Sequence, residues 1–241
     1  MTSDIHSITT HLLSQSTKPS YLEATSAHPF IASAANGTLS NDLLSFWLYQ
    51  DRIYAAHAYP PFIGSLIANI PFDRTSQPNV DASKRILDIL NFSLQNIVRE
   101  VEFFENTATQ WGLRTDGWKE RKGTRDYTAE MARISRSGSV EEGLLFLWAM
   151  ERIYLDAWMH VHNKLTSDPQ TTTPSPVMVF ATNWSTPEFQ SFVIDLGNLV
   201  DDLYQNGGPK MWKRAEDIWQ RTVELEEAFW PVNGEEVEFT R

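Results

Sequence analysis

Three acidic residues stand where amphipathic helices should be apolar. Asp51 falls among Leu43, Leu44, Trp47, Leu48, Tyr54, Ala55 and Ala58, which recur at helical spacing. Glu151 interrupts a face made by Leu144, Leu147, Trp148, Tyr154, Leu155 and Trp158. Glu226 shares a face with Trp219, Thr222, Val223, Phe229 and Trp230, while its neighbours Glu224 and Glu227 point elsewhere. An ionised carboxylate taken out of water is costly unless something pairs with it. One account is a core pair, with Arg52, Arg152 or Tyr154 as the nearby partner. The other is a shared pocket with aromatic walls and a few placed polar groups, which suits a flat heteroaromatic ligand. Three acids on three aromatic faces favour the pocket. Burial raises a carboxyl pKa toward neutrality, so one acid can wait protonated while another stays ionised, the arrangement general acid–base chemistry needs.

Other chemistries have weaker support. The chain has no cysteine, which excludes disulfides, thiolate metal sites and a thiol nucleophile. Asp156 and His160 lie one helical turn apart, a conceivable ligand pair, with His57 and His162 as further histidines. Asp156 shares no clear face with Glu151, however, and the histidines read as surface residues. No metal and no cofactor is expected.

The elements that position these acids can be read from periodicity. A first helix spans residues 3 to 16, with Ile5, Ile8, Leu12 and Leu13 inward. His28-Pro29-Phe30-Ile31 is a short segment closed by Asn36-Gly37. Ser40 is a good N-cap for the helix that carries Asp51, which runs to about Asn69 with a break or kink at Pro60-Pro61. After a loop from Pro71 to Pro78, residues 82 to 111 repeat Ile86, Leu87, Leu90, Leu94, Ile97, Val101 and Phe104, stopping at Gly112. A polar stretch leads to a shorter helix from Thr124 to Ser137. Ser139-Val140-Glu141-Glu142 is a capping box that opens the Glu151 helix, from Val140 to about Leu165. Ser167 to Pro176 reads as a loop. Thr186-Pro187-Glu188 opens a helix to Tyr204, and Gly207-Gly208-Pro209 separates it from the Glu226 helix, Met211 to Trp230. From Pro231 an acidic tail is expected to be loose. With no sustained alternation of period two, the expectation is an all-α single domain over 1–241, with seven or more helices.

Bulk properties agree with a globular protein. At 241 residues the chain can bury a large core. The net charge of −11 gives no basic face for a phosphate backbone and disfavours anionic membranes, so neither nucleic acid nor membrane is an expected partner. The first residues lack a basic n-region and a long apolar core, and the longest apolar run, Leu144 to Met150, is too short to span a bilayer. A cytoplasmic protein is expected.

A set of short motifs runs the length of the chain: His28-Pro29-Phe30, Gly37-Thr38-Leu39, Gln50-Asp51-x-x-Tyr54, Tyr127-Thr128, Trp148 to Trp158, Asn183-Trp184 and Glu226-x-x-Phe229-Trp230. With these motifs the chain resembles the thiaminase II (TenA) family. The resemblance implies a heme-oxygenase-like helical bundle, assembled as a homo-oligomer (dimer or tetramer). It also implies thiamin salvage, in which degraded forms of the vitamin are hydrolysed to the hydroxymethylpyrimidine precursor or its amine. By position, Asp51 resembles the acid that hydrogen-bonds the aminopyrimidine edge, and Tyr54 and Tyr127 resemble pocket tyrosines. Trp184 stands where the family often has a ring-stacking tyrosine, and Glu226 matches the catalytic acid/base. Where thiaminase II members carry a cysteine four residues before a tyrosine, this chain has Met150, and Tyr154 keeps the spacing. It is therefore similar to the cysteine-lacking branch, in which a glutamate, here Glu151, takes part. That branch acts on amino- or formylamino-methyl pyrimidines. A non-catalytic pyrimidine-binding scaffold and a metal-dependent oxidase on the same fold are the alternatives.

Overall fold

A helix that is apolar on every side has to be buried on every side. The computed structural model describes residues 7–71, 77–167 and 174–240, and in it Leu144 to Met150 are all buried. They lie in the first half of a 28-residue helix, Val140–Ser167. In chain order the helices are α1 (Ile8–Leu13), α2 (Pro29–Ala35), α3 (Asn41–Ile53), α4 (Tyr59–Ala68), α5 (Gln77–Trp111), α6 (Lys122–Ser137), α7 (Val140–Ser167), α8 (Pro176–Asn183), α9 (Pro187–Tyr204), α10 (Pro209–Phe229) and α11 (Glu235–Glu238). Two π turns, Glu23–Ala27 and Tyr54–Ala58, lie before α2 and between α3 and α4. Helix α7 is the hub and packs against α2, α4, α6, α8, α9, α10 and the first π turn. The fold is all-α: among the described residues there is no strand, only an isolated antiparallel bridge between Trp118 and Thr240. No helix among them is long and apolar enough to cross a membrane.

The caps explain several boundaries. Ser40 accepts from the Leu43 amide at 3.2 Å and starts α3. Ser139 accepts from the Glu142 amide at 3.2 Å, and Thr186 accepts from the Phe189 amide at 3.3 Å ahead of Pro187. Gly112, at φ +64°, stops α5 in a backbone region that disfavours other residues.

Three expectations need correction, and one helix was not foreseen. The first helix is shorter, Ile8–Leu13, because Ser7 caps it by accepting from the Thr10 amide. Leu13 is 36% exposed rather than inward, and Ile5 lies outside the described residues. Of the break or kink expected at Pro60-Pro61, the structure has a break, and it lies before the prolines, at Tyr54–Ala58. Lacking amide hydrogens, they cannot serve the carbonyls four residues earlier, and the chain passes through a π turn just before them, with the Tyr59 amide bonded to the Tyr54 carbonyl. Helix α8 is an element that the loop reading over Ser167–Pro176 does not foresee. Residues 168–173 lie outside the description, but Ser175 caps α8 with Pro176 at its first position. Finally, the tail is not loose. The Glu236 carbonyl accepts from the Trp118 indole at 2.7 Å, Arg121 pairs with Glu235 at 2.8 Å, and the Phe239 ring sits 5.9 Å from that of Phe46. Its acidic composition masks an aromatic anchor and a cationic partner.

Candidate active site

Asp51, Glu151 and Glu226 come from α3, α7 and α10, and all three line one partly enclosed cavity. Tyr54, Tyr127, Tyr154 and Trp184 line it as well, so all seven residues singled out in the sequence share a single space. Together with the open solvent at its mouth, the space within the cavity measures about 520 Å³. Asp51 and Glu226 are buried, at 4% and 3% exposure. Glu151 is partly exposed, and the cavity is among the surfaces it lines.

Each acid takes a phenol. The Tyr154 hydroxyl donates to Asp51 Oδ2 at 3.3 Å, that of Tyr59 to Glu151 Oε1 at 2.5 Å, and that of Tyr127 to Glu226 Oε1. The guanidinium partners that the sequence allows are engaged elsewhere: Arg52 with Glu105 at 3.2 Å and Arg152 with Asp156 at 3.0 Å. Phenol bonds favour the charged form of an acid, yet burial outweighs them here. It pushes Asp51 and Glu226 up to about 8 and Glu151 up to about 7. Burial and the adjacent carboxylates hold the four phenols well above their ordinary range, so the tyrosines stay protonated and act as donors.

Local structure explains the convergence. Residues five apart diverge by about 140° on an α-helix, but the π turn uses i→i+5 bonding, and Tyr54 and Tyr59 face each other with ring centroids 5.9 Å apart. π segments are frequent at functional sites for this kind of re-aiming. Gln50, fully buried, binds the segment opposite: its Nε2 donates to the Lys119 carbonyl at 3.0 Å, and its Oε1 accepts from the Arg121 amide at 3.0 Å and the Thr124 hydroxyl at 2.8 Å. Arg121 in turn donates to the Phe229 carbonyl at 2.8 Å, at the end of α10. The Gln50-Asp51 pair thus divides its work, one residue tying helices together and the other facing the cavity.

Trp184 caps the end of α8. One face of its indole stacks on Phe180, with centroids 5.7 Å and planes 13° apart, and Tyr154 meets it edge-on at 5.0 Å. Its N–H donates to Glu100. Met150 also lines the cavity, with its sulfur 3.8 Å from the Tyr54 hydroxyl.

Two titratable cavity residues escape the sequence reading, Glu100 and Tyr59, as do the polar Ser93 and Asn96. Glu100 lies three residues after Ile97 and four before Phe104, inside the apolar stripe of α5. This is the same signal that marks the other acids, so it was available. Tyr59 is hidden by the prolines after it. His28 is no ligand: its Nδ1 accepts from the Phe30 amide at 3.2 Å as the N-cap of α2, and burial holds it down at about 4. Asp156 accepts from Tyr21 at 2.7 Å as well as from Arg152. Among the described residues no three His, Asp or Glu side chains form a metal-ligand group.

The sequence and the fold both have known relatives. A Fusarium pseudograminearum protein named "Probable transcription factor" is 27% identical over 229 residues, 82% of this chain, but the chain spans only 45% of that protein's length. A Glycine max protein named "Probable bifunctional TENA-E protein" is 21% identical over 207 residues, covering 86% of this chain and 85% of its own. Among solved structures, a TenA homologue from Pyrococcus furiosus superposes with a TM-score of 0.77 at 22% identity, over 92% of this chain and 98% of that one, a likeness of fold. The sequence model of the TENA/THI-4/PQQC family matches residues 14–235, and the chain belongs to that family.

Proposed function

We propose that this protein is a thiamin-salvage hydrolase that acts on amino- or formylamino-methyl pyrimidines without a covalent intermediate. The observation that carries the reading is the meeting of Asp51, Glu151 and Glu226 in one cavity with Met150 in its wall. A thioether has no thiolate to attack the ring, so water is the nucleophile. With an aminomethyl substrate, the water oxygen bonds to the exocyclic methylene carbon as the carbon–nitrogen bond breaks. One carboxylate takes the water proton, and a nitrogen that departs uncharged takes a proton from a protonated acid while an ammonium leaves without one, so hydroxymethylpyrimidine and ammonia leave. With a formylamino substrate, water attacks the formyl carbon instead, releasing formate and the amine.

In this scheme Glu226 is the principal proton-transfer group and Glu151 orients and activates the water. Asp51 holds the aminopyrimidine edge, and Tyr54, Tyr127, Tyr154 and Trp184 shape the ring's surroundings. The raised carboxyls support such a division, since groups near neutrality can both give and take a proton. The protein would work as a homo-oligomer with no cofactor, on a small molecule rather than nucleic acid or membrane, in the cytoplasm.

Incubation with each pyrimidine, scored for hydroxymethylpyrimidine, ammonia and formate, tests the reading. Glu226→Gln and Glu151→Gln are each expected to lower turnover by roughly 10²–10⁴-fold, with affinity much less changed. Near-wild-type turnover in Glu151→Gln would leave Glu226 acting alone. Pyrimidine binding without turnover in the wild type would favour the scaffold, and activity that tracks added metal would favour the oxidase.

A further inference from the structure

Glu100 has no part in the scheme above. It lines the cavity from α5 and also lines a second hollow between α5, α8 and α9, so it stands at the boundary of the two. Its Oε1 accepts from the Trp184 indole, and its other oxygen has no partner among the described residues. The same holds for the second oxygens of Asp51 and Glu226, both more than nine-tenths buried. Three carboxyl groups thus offer unfilled acceptor positions to one cavity that Glu151 also lines, and none of its lining residues is Lys, Arg or His. The nearest guanidinium of the outer hollow, that of Arg99, pairs with Asn96 at 3.2 Å and Glu188 at 3.7 Å.

The partner of Glu100 differs in kind from those of the other three. A phenol can donate or accept, so Asp51, Glu151 and Glu226 can each take up a proton and return the hydrogen bond to their tyrosine. An indole N–H only donates. The Glu100 oxygen that faces Trp184 must therefore remain an acceptor, and any counter-charge has to come to its free oxygen. Burial and the nearby Asp51 and Glu151 push its pKa well up, so an empty cavity favours a proton at that position. A ligand cation can take the proton's place.

We propose that Glu100 binds the protonated amine arm of the substrate, and that the site selects an unphosphorylated aminomethyl pyrimidine over the formylated amide. The proposal rests on the pyrimidine reading of the cavity. A primary ammonium is charged at neutral pH, as a lysine is, and it matches a cavity of acceptors. A neutral formamide leaves the acids without a counter-charge, and a phosphate meets four carboxyl groups with no cation among them.

Rapid-mixing tryptophan fluorescence, read before turnover, tests this with three pyrimidines that differ only in the 5-substituent: aminomethyl, hydroxymethyl and formylaminomethyl. The wild type is expected to bind the aminomethyl compound about 10- to 100-fold more tightly than either neutral one, the scale of a hydrogen bond to a charged group. Glu100→Gln should lose most of that ratio while its affinity for hydroxymethylpyrimidine stays within about three-fold. A wild-type ratio near one overturns the proposal whether or not the variant folds. So does a ratio that survives in Glu100→Gln. If hydroxymethylpyrimidine binds and the ratio is absent, only this proposal fails. If no pyrimidine binds, the reading of the cavity fails with it.

Discussion

Asp51 shows what a single residue gains from its surroundings. Its Oδ2 takes the Tyr154 phenol and burial lifts it to about 8, so near neutrality it is largely protonated. A neutral carboxylic acid offers one donor and one acceptor side by side, the complement of a ring nitrogen next to an exocyclic amine. Asp51→Asn keeps a donor and an acceptor but cannot shift a proton toward the ring. It should weaken hydroxymethylpyrimidine binding by about 1.5–3 kcal/mol, the scale of a charge-assisted hydrogen bond. Calorimetric titration of both proteins checks this, and equal affinities would remove Asp51 from the ring edge. Asp51, Glu151 and Glu226 were legible because each breaks an apolar face rich in aromatics. Glu100 breaks one too, between Ile97 and Phe104, but the indole that binds it stands at the end of α8, which no periodicity reveals. Of the phenol partners only Tyr154 was legible as a candidate, and Tyr59 and Tyr127 were not, since a hydroxyl's partner depends on which helices meet.

At the level of elements, the clasp between α6 and α10 aligns Tyr127 with Glu226. Gly123, in the first turn of α6, lies so close to α10 that a Cβ there would meet the Ala228 carbonyl well inside van der Waals contact. Because the obstacle is backbone, one of the helices has to move. Gly123→Ala is expected to destabilise the fold by about 1–3 kcal/mol, as overpacking does, and to lower turnover by pulling the Tyr127 hydroxyl off Glu226. Denaturant melts and steady-state rates measure the two effects. A variant as stable and active as wild type would mean that the clasp is not needed. Helix starts were readable here because caps and prolines are local chemistry, which is why Ser40, Ser139 and Thr186 stand where their helices begin. The π turn was not, because i→i+5 bonding leaves no compositional mark beyond the prolines that follow. Helix α8 was lost behind a Ser/Thr/Pro-rich stretch, and the docked tail behind its acidity.

For the molecule as a whole, four raised carboxyls in one cavity make stability depend on pH in an unusual direction. Asp51, Glu151 and Glu226 sit at about 8, 7 and 8 in the folded protein, and Glu100 is shifted the same way. In the unfolded chain such groups titrate near 4. Between those limits the folded state holds more protons than the unfolded one, so ΔG of unfolding falls as pH rises. The stability these groups contribute is complete below about pH 4 and is lost as pH climbs through 7 and 8. His28 works in the opposite sense. Held at about 4 when folded, it lets the unfolded chain bind the extra proton below its ordinary value near 6.5, so its contribution declines as the solution is acidified. The two trends predict greatest stability on the mildly acidic side and a falling Tm between pH 6 and 9. Surface self-repulsion at a net charge of −11 also grows with pH, so the wild-type curve alone does not isolate the cavity. Glu226→Gln does. It removes one titrating group while leaving an acceptor for Tyr127, so its Tm should fall less between pH 6 and 9 than that of wild type. The difference should amount to several degrees, since about 1 kcal/mol moves Tm by roughly 2–4 °C in a chain of this size. Calorimetric scans of both proteins across that range provide the measurement. Parallel curves would mean that Glu226 is already ionised at pH 6 and serves the reaction as a base rather than as an acid.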